Sequence, residues 1–156
     1  MNYLRRLPKF KFVSPDSMTE LCTLVEQATP GEAMLFAGGT DAVLQLRRRE
    51  MTPAQVIGMK RIAGLDFIRG EEDGGLSIGA MTNLQSLITS PIVQARHGVL
   101  GETAVQIGGL ELRNVATLGG NIAGALPCAD MPAPMMILDA RVKLTSKAGE
   151  RWVGLD

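Results

Sequence analysis

Two glycine pairs constrain this chain more than any other feature. Gly38-Gly39 stands in "LFAGGTDAVLQL", between an apolar run and an amphipathic segment. Gly119-Gly120 stands in "ATLGGNIAG", about eighty residues later. Glycine permits left-handed backbone and carries no side chain to hold another group away. A strand-to-helix turn needs only the first property. A backbone that wraps a phosphate needs both, because several N–H donors must converge on one point; a following helix adds its own donors and partial positive charge. For the first pair taken alone, the plain turn is the stronger reading. The segment lacks the G-x-x-x-x-G-K of a P-loop and the G-x-G-x-x-G of a dinucleotide fingerprint.

The residues around the first pair predict a small parallel sheet. "KFKFV" alternates charged and apolar residues like a short strand. Ser14, Pro15 and Asp16 give a helix start, and Leu21, Leu24, Val25 and Ala28 recur on one helical face until Pro30-Gly31. "AMLFA" reads as a buried strand, Asp41 to Arg49 as a short helix ended before Pro53, and "AQVIGM" as a third strand. The order β-α-β-α-β implies parallel pairing. From about Lys60 the texture changes to α+β: strands over Asp66–Arg69 and Leu76–Gly79 around an acidic Gly-rich turn, and a helix capped by Thr82. A further helix opens at Pro91, and "RVKLTS" pairs with "RWVGL" across "KAGE". A lobe boundary is placed near residue 58, giving a small α/β lobe over 1–58 and a larger α+β lobe over 59–156. The returning strand stops after about five residues, which predicts a missing C-terminal portion.

The second pair sits in a richer setting. In "LRNVATLGGNIAGALPCAD" (Leu112 to Asp130), Thr117 and Asn121 offer side-chain donors, and Gly119 and Gly120 offer backbone ones. Asp130 stands at an expected helix start. There it either caps its own helix or accepts from a ribose or ribityl hydroxyl. Residues 108–126 read as irregular, and a compact domain keeps so long an irregular segment chiefly where it serves a site.

Composition narrows the function classes. Lys plus Arg and Asp plus Glu number 16 each, so no basic surplus marks a nucleic-acid binder, and one Trp and one Tyr leave few stacking platforms. Two distant cysteines, Cys22 and Cys128, form neither a disulfide framework nor a metal site built by this chain alone, and free thiols suit a cytoplasmic location. No window is long and apolar enough for a membrane span or a signal peptide. No catalytic residue and no metal ligand set stands out.

Together the two loops, in this order and spacing, resemble the FAD-binding (medium) subunits of molybdenum hydroxylases, the xanthine dehydrogenase and carbon monoxide dehydrogenase family. "GLSIGAMTNLQSLITSPIV" between them fits the same pattern, so the resemblance covers nearly the whole chain. It implies the p-cresol methylhydroxylase-type FAD-binding fold, α+β, with FAD extended between the two lobes. Leu35, Phe36, Ala37, Gly38, Gly39, Thr40 and Asp41 match the family's first FAD loop, which wraps the pyrophosphate. Thr117, Gly119, Gly120, Asn121 and Asp130 match the second, and Ile107 and Gly108 fall where the family approaches the flavin. The family's C-terminal domain has no counterpart here, nor does the cysteine-rich insert of one of its branches. The implied partners are a molybdopterin-binding large subunit and a 2Fe–2S small subunit. Electrons would pass through the clusters to FAD and on to NAD+, oxygen or another acceptor. The cofactor then carries the redox chemistry, which suits the lack of an acid–base pair.

Two rival readings remain open at the level of sequence: an assembly module that docks to its partners without flavin, and an unrelated nucleotide-binding domain using the same glycine physics. Of the remaining residues, His97 is expected at a helix end, Cys128 and the methionines 131, 135 and 136 as packing, and Arg47–Arg49 as a solvated helix face. Arg113 is expected to brace the second loop.

Overall fold

The computed structural model describes residues 6–155. Strands β1 (Lys11–Val13), β2 (Ala33–Phe36) and β3 (Gln55–Gly58) form a parallel sheet in the order β1-β3-β2. A three-stranded sheet has only one interior strand. That place falls to β3, whose Val56, Ile57 and Gly58 are all buried, as a parallel strand covered on both faces requires. "AMLFA", expected as a buried strand, is an edge strand instead: Met34 is buried while Leu35 faces out, 48% exposed.

Helix α1 (Met18–Gln27) joins β1 to β2, and α2 (Ala42–Arg48) joins β2 to β3. The α1 start differs from the expected Ser14. Ser17 is the N-cap; its hydroxyl accepts from the Glu20 N–H at 3.2 Å, and the Glu20 carboxylate accepts from the Asp16 N–H at 3.0 Å. The first bond satisfies one of the N–H groups that a helix start leaves unpaired, and the second ties the residue before the cap to the first turn. Leu21, Ile57 and Ile62 pack with Met18, Leu24 and Leu65; on the other side of the sheet Met34, Leu46 and Val56 pack with Phe10 and Phe36.

The chain then turns to antiparallel pairing, in strands β4 (Ile68–Gly70) and β5 (Leu76–Ile78). Helices α3 (Leu84–Thr89) and α4 (Pro91–Val105) follow. Asn83, not Thr82, caps α3, accepting from the Ser86 N–H at 2.8 Å. Thr82 is buried, and its hydroxyl donates to the Phe67 carbonyl at 2.9 Å and accepts from the Phe67 N–H at 3.1 Å. The α4 axis breaks at His97, at φ −143° and ψ 56°.

The stretch 108–126, expected as irregular, contains two short helices, α5 (Leu110–Arg113) and α6 (Leu118–Ala123). Glycines at 119 and 120 lower helix propensity, which hid α6; its cap and tertiary contacts outweigh that. Helix α7 (Pro132–Ile137) and the hairpin β6 (Arg141–Ser146) and β7 (Gly149–Gly154) complete the described chain. The largest core cluster joins Leu84 and Leu87 of α3 to Val93, Leu100 and Ala104 of α4. Ala116, Leu118 and Met131 belong to it too, so the second glycine segment is rooted in the main core. Among the described residues no helix is long and apolar enough to cross a membrane.

Candidate functional site: two glycine loops in contact

The first loop leaves the carboxyl end of β2, where ligands bind in open parallel sheets. Gly39 has φ 75°, a left-handed conformation that turns the chain from β2 into α2. The ring of Phe36 lies directly over it, in the space a Cβ would take. Gly38 makes the contact on which the site depends. A Cβ there would lie 1.9 Å from the Val115 carbonyl oxygen and 3.1 Å from the Ala116 Cα. The first loop therefore touches the backbone that leads into the second. A Cβ on Gly120 would in turn lie 3.7 Å from the Ala37 Cβ. The two glycine pairs, distant in sequence, line one place.

Their donors are disposed differently. Thr117 caps α6, its hydroxyl accepting from the Gly120 N–H at 3.1 Å. The Leu118 N–H goes to the Thr82 carbonyl and the Gly119 N–H to the Ala80 carbonyl, each at 2.9 Å. The second loop thus consumes its own N–H groups in the protein. The expectation that Gly119 and Gly120 supply backbone donors is corrected: they let α6 pack closely, Gly119 against Ala80 and Gly120 beneath Ala37. Sequence reasoning missed Ala80, Thr82 and Val115, which act through backbone carbonyls and so leave no side-chain signature.

In the first loop no protein acceptor is found, among the described residues, for the N–H groups of Gly38, Gly39, Thr40 and Asp41. The Asp41 side chain makes no capping bond, although the residue holds the N-cap position of α2. Unpaired N–H groups at a helix start favour an anion. The exposed Asp41 carboxylate disfavours one, so it suits a hydroxyl on the ligand rather than a phosphate.

Around these loops, Asn121 accepts through its side-chain carbonyl from the N–H of the fully buried Met131 at 3.3 Å. This bond pins the turn carrying Asp130. The cap of α7 is Met131, without a side-chain bond, so Asp130 does not cap it; its carboxylate is exposed. Ile107 packs on the main core, and Gly108, at φ 52°, is exposed beyond it. Arg113 ties that segment to α3 and α4 through Gln85 and three carbonyls. Cys128 is exposed and free, not the expected buried filler.

A cradle of free N–H groups backed by a glycine contact fits an extended nucleotide diphosphate, and the comparisons with known proteins define the class. Residues 8–156 match the family described as the FAD binding domain in molybdopterin dehydrogenase. The chain belongs to this family, whose cofactor is FAD, and its fold is the α+β fold of that FAD-binding domain. It is 38% identical over 149 residues to the carbon monoxide dehydrogenase medium chain of Hydrogenophaga pseudoflava, covering 96% of this chain and 51% of the relative. It is 32% identical over 146 residues to the nicotinate dehydrogenase FAD-subunit of Eubacterium barkeri, covering 94% and 49%. Among solved structures, carbon monoxide dehydrogenase from H. pseudoflava lacking the Mo-pyranopterin moiety superposes with a TM-score of 0.93 at 38% identity, over 97% of this chain and 52% of that one. Quinoline 2-oxidoreductase from Pseudomonas putida gives 0.91 at 29% identity, over 96% and 52%. The chain spans about half the length of the relatives it matches.

Proposed function

We propose that this chain is the FAD-holding part of an electron-transfer subunit in a molybdenum hydroxylase complex. The observation that carries the reading is the contact of Gly38 with Val115 and Ala116, which makes one cradle of two loops. The free N–H groups from Gly38 to Asp41 and the Thr40 hydroxyl hold the pyrophosphate, with Leu35, Phe36 and Ala37 forming the wall from which they project. Thr117, Gly119, Gly120 and Asn121 build the opposite wall. Asp130, and Asp41 on the near side, accept from sugar or ribityl hydroxyls. Ile107 and Gly108 flank the flavin ring. The lobes meet along this cradle, with the division near residue 58.

Bound FAD supplies the redox chemistry, taking up electrons and handing them on. The chain's own residues bind and orient it; none is assigned as an acid, base or nucleophile. The electron source is a 2Fe–2S small subunit, fed by a molybdopterin-binding large subunit that oxidises the substrate. The acceptor is NAD+ or oxygen, and the location is cytoplasmic. The support for these partners is the medium-chain and FAD-subunit character of the relatives.

The test is purification followed by a visible spectrum. A flavin absorption band that survives gel filtration is expected. No FAD binding, even with the partner subunits present, would sink the reading.

A further inference from the structure

The β6–β7 hairpin stands apart from the cores of the fold. None of its residues joins the main cluster or either cluster of the parallel sheet. Its root is fixed. The Asp139 N–H donates to the Met136 carbonyl at 3.1 Å and the Ala140 N–H to the Met135 carbonyl at 2.9 Å, closing α7. Met135 and Leu138 pack in turn on the main core. From this root two six-residue strands run out to a two-residue turn at Lys147 and Ala148. At about 3.4 Å per residue the tip lies about 20 Å from the root.

At that tip the Lys147 Nζ donates to the Glu26 Oε2 at 2.6 Å. Among the described residues this is the one hydrogen bond from residues 141–154 to the rest of the chain. The other side-chain bonds of the hairpin, from Lys143 and Thr145 to Glu150 and from Ser146 to Gly149, stay inside it. Glu26 lies near the end of α1, whose Leu21 packs with Ile57 of the parallel sheet. The pair therefore ties an arm rooted in the main core to the helix that covers the sheet. Both side chains are more than half exposed, 60% for Lys147 and 55% for Glu26. Exposed pairs shift an equilibrium by at most about fivefold, and salt weakens them. A pivot of about 10° at the root would move the tip by about 3.5 Å, enough to part the two groups without disturbing a core contact. A single pair at the end of a long arm is thus a poor brace and an effective catch.

We propose that Lys147 and Glu26 form a salt-sensitive latch. Closed, it holds the β6–β7 hairpin down on α1; open, it lets the hairpin swing about its root at residues 139–140. The device is separate from the cradle and stands whether or not the FAD reading holds.

The experiment is carbodiimide coupling, which turns a lysine–carboxylate contact into an amide with no spacer. In the 156-residue chain, peptide mapping of the monomer is expected to find Glu26 joined to Lys147 at low salt. The Lys143–Glu150 pair, at 3.2 Å, is the internal standard, because the strand ladder itself holds it together. Raising sodium chloride to about 1 M shortens the screening length to about 3 Å. The yield of the 26–147 product relative to the 143–150 product is then expected to fall at least twofold, up to the fivefold limit of an exposed pair. Glu26→Lys combined with Lys147→Glu exchanges the charges, and a product across the same two positions is expected to form again. A missing 26–147 product at low salt while the standard forms, a ratio that salt does not move, or an exchanged pair that gives no product would overturn the proposal. Should the double variant not fold, the salt series on the wild-type chain decides alone.

Discussion

Substituting Gly38 by alanine tests the contact on which the site depends. The added Cβ would meet the Val115 carbonyl oxygen at 1.9 Å, where ordinary contact begins at 3.4 Å, so the two loops must part by about 1.5 Å. The opposing atoms, Val115 O, Val115 C and Ala116 Cα, are all backbone and cannot rotate aside. Overpacking of this kind costs about 1–3 kcal/mol. For a chain of this size that lowers the melting temperature by about 2–12 °C. Gly38 is not among the positive-φ glycines, so the penalty isolates the close approach from backbone strain. Gly74→Ala is the control: it has φ 92° and open space around it, so it carries strain alone. Thermal melts and FAD titration of both variants give the readout. Gly38→Ala is expected to lose stability and at least tenfold in FAD affinity, and Gly74→Ala to lose some stability with unchanged affinity. A Gly38→Ala chain that melts and binds like wild type would refute the loop contact.

Thr117→Val removes the oxygen that caps α6 and should cost about 1 kcal/mol, with Thr117→Ser recovering most of it in a thermal melt. Asn121→Leu leaves the buried Met131 N–H without its acceptor and should cost about 1–3 kcal/mol in urea unfolding, whereas Asn121→Asp, which can still accept, should lose less. Thr82→Val strands the N–H of Phe67, whose carbonyl keeps the Gly79 N–H as a donor, and the same range is expected by calorimetry; equal melting of variant and wild type would count against the bond.

The parallel sheet was legible because its signals are local: short apolar runs, helical spacing in α1, and Pro-Gly breaks between them. The start of α1 was also present in the sequence, as the S-x-x-E pattern of Ser17 and Glu20, but the neighbouring Ser14 and Pro15 mimic it. The choice between Thr82 and Asn83 as the α3 cap was not legible. Both are good N-caps, and burial against Phe67 decides which side chain is free for the task. The glycine loops were legible as a pair and illegible in their division of labour. Gly119 and Gly120 carry the same local signature as Gly38 and Gly39, but the partners that occupy their N–H groups, Ala80 and Thr117, are set by tertiary folding and by the cap. The edge position of β2 depends on the strand order of the finished sheet.

The hairpin of β6 and β7 has a practical consequence. It carries Trp152, the single tryptophan of the chain, 56% exposed and paired across the ladder with Lys143. Intrinsic fluorescence excited at the indole band is therefore a one-site optical probe located on β7. Its emission in the isolated chain will sit at the red, water-exposed end. A blue shift will register whatever comes to lie against the hairpin, while ligand filling the cradle will reach it only as quenching by energy transfer to the flavin.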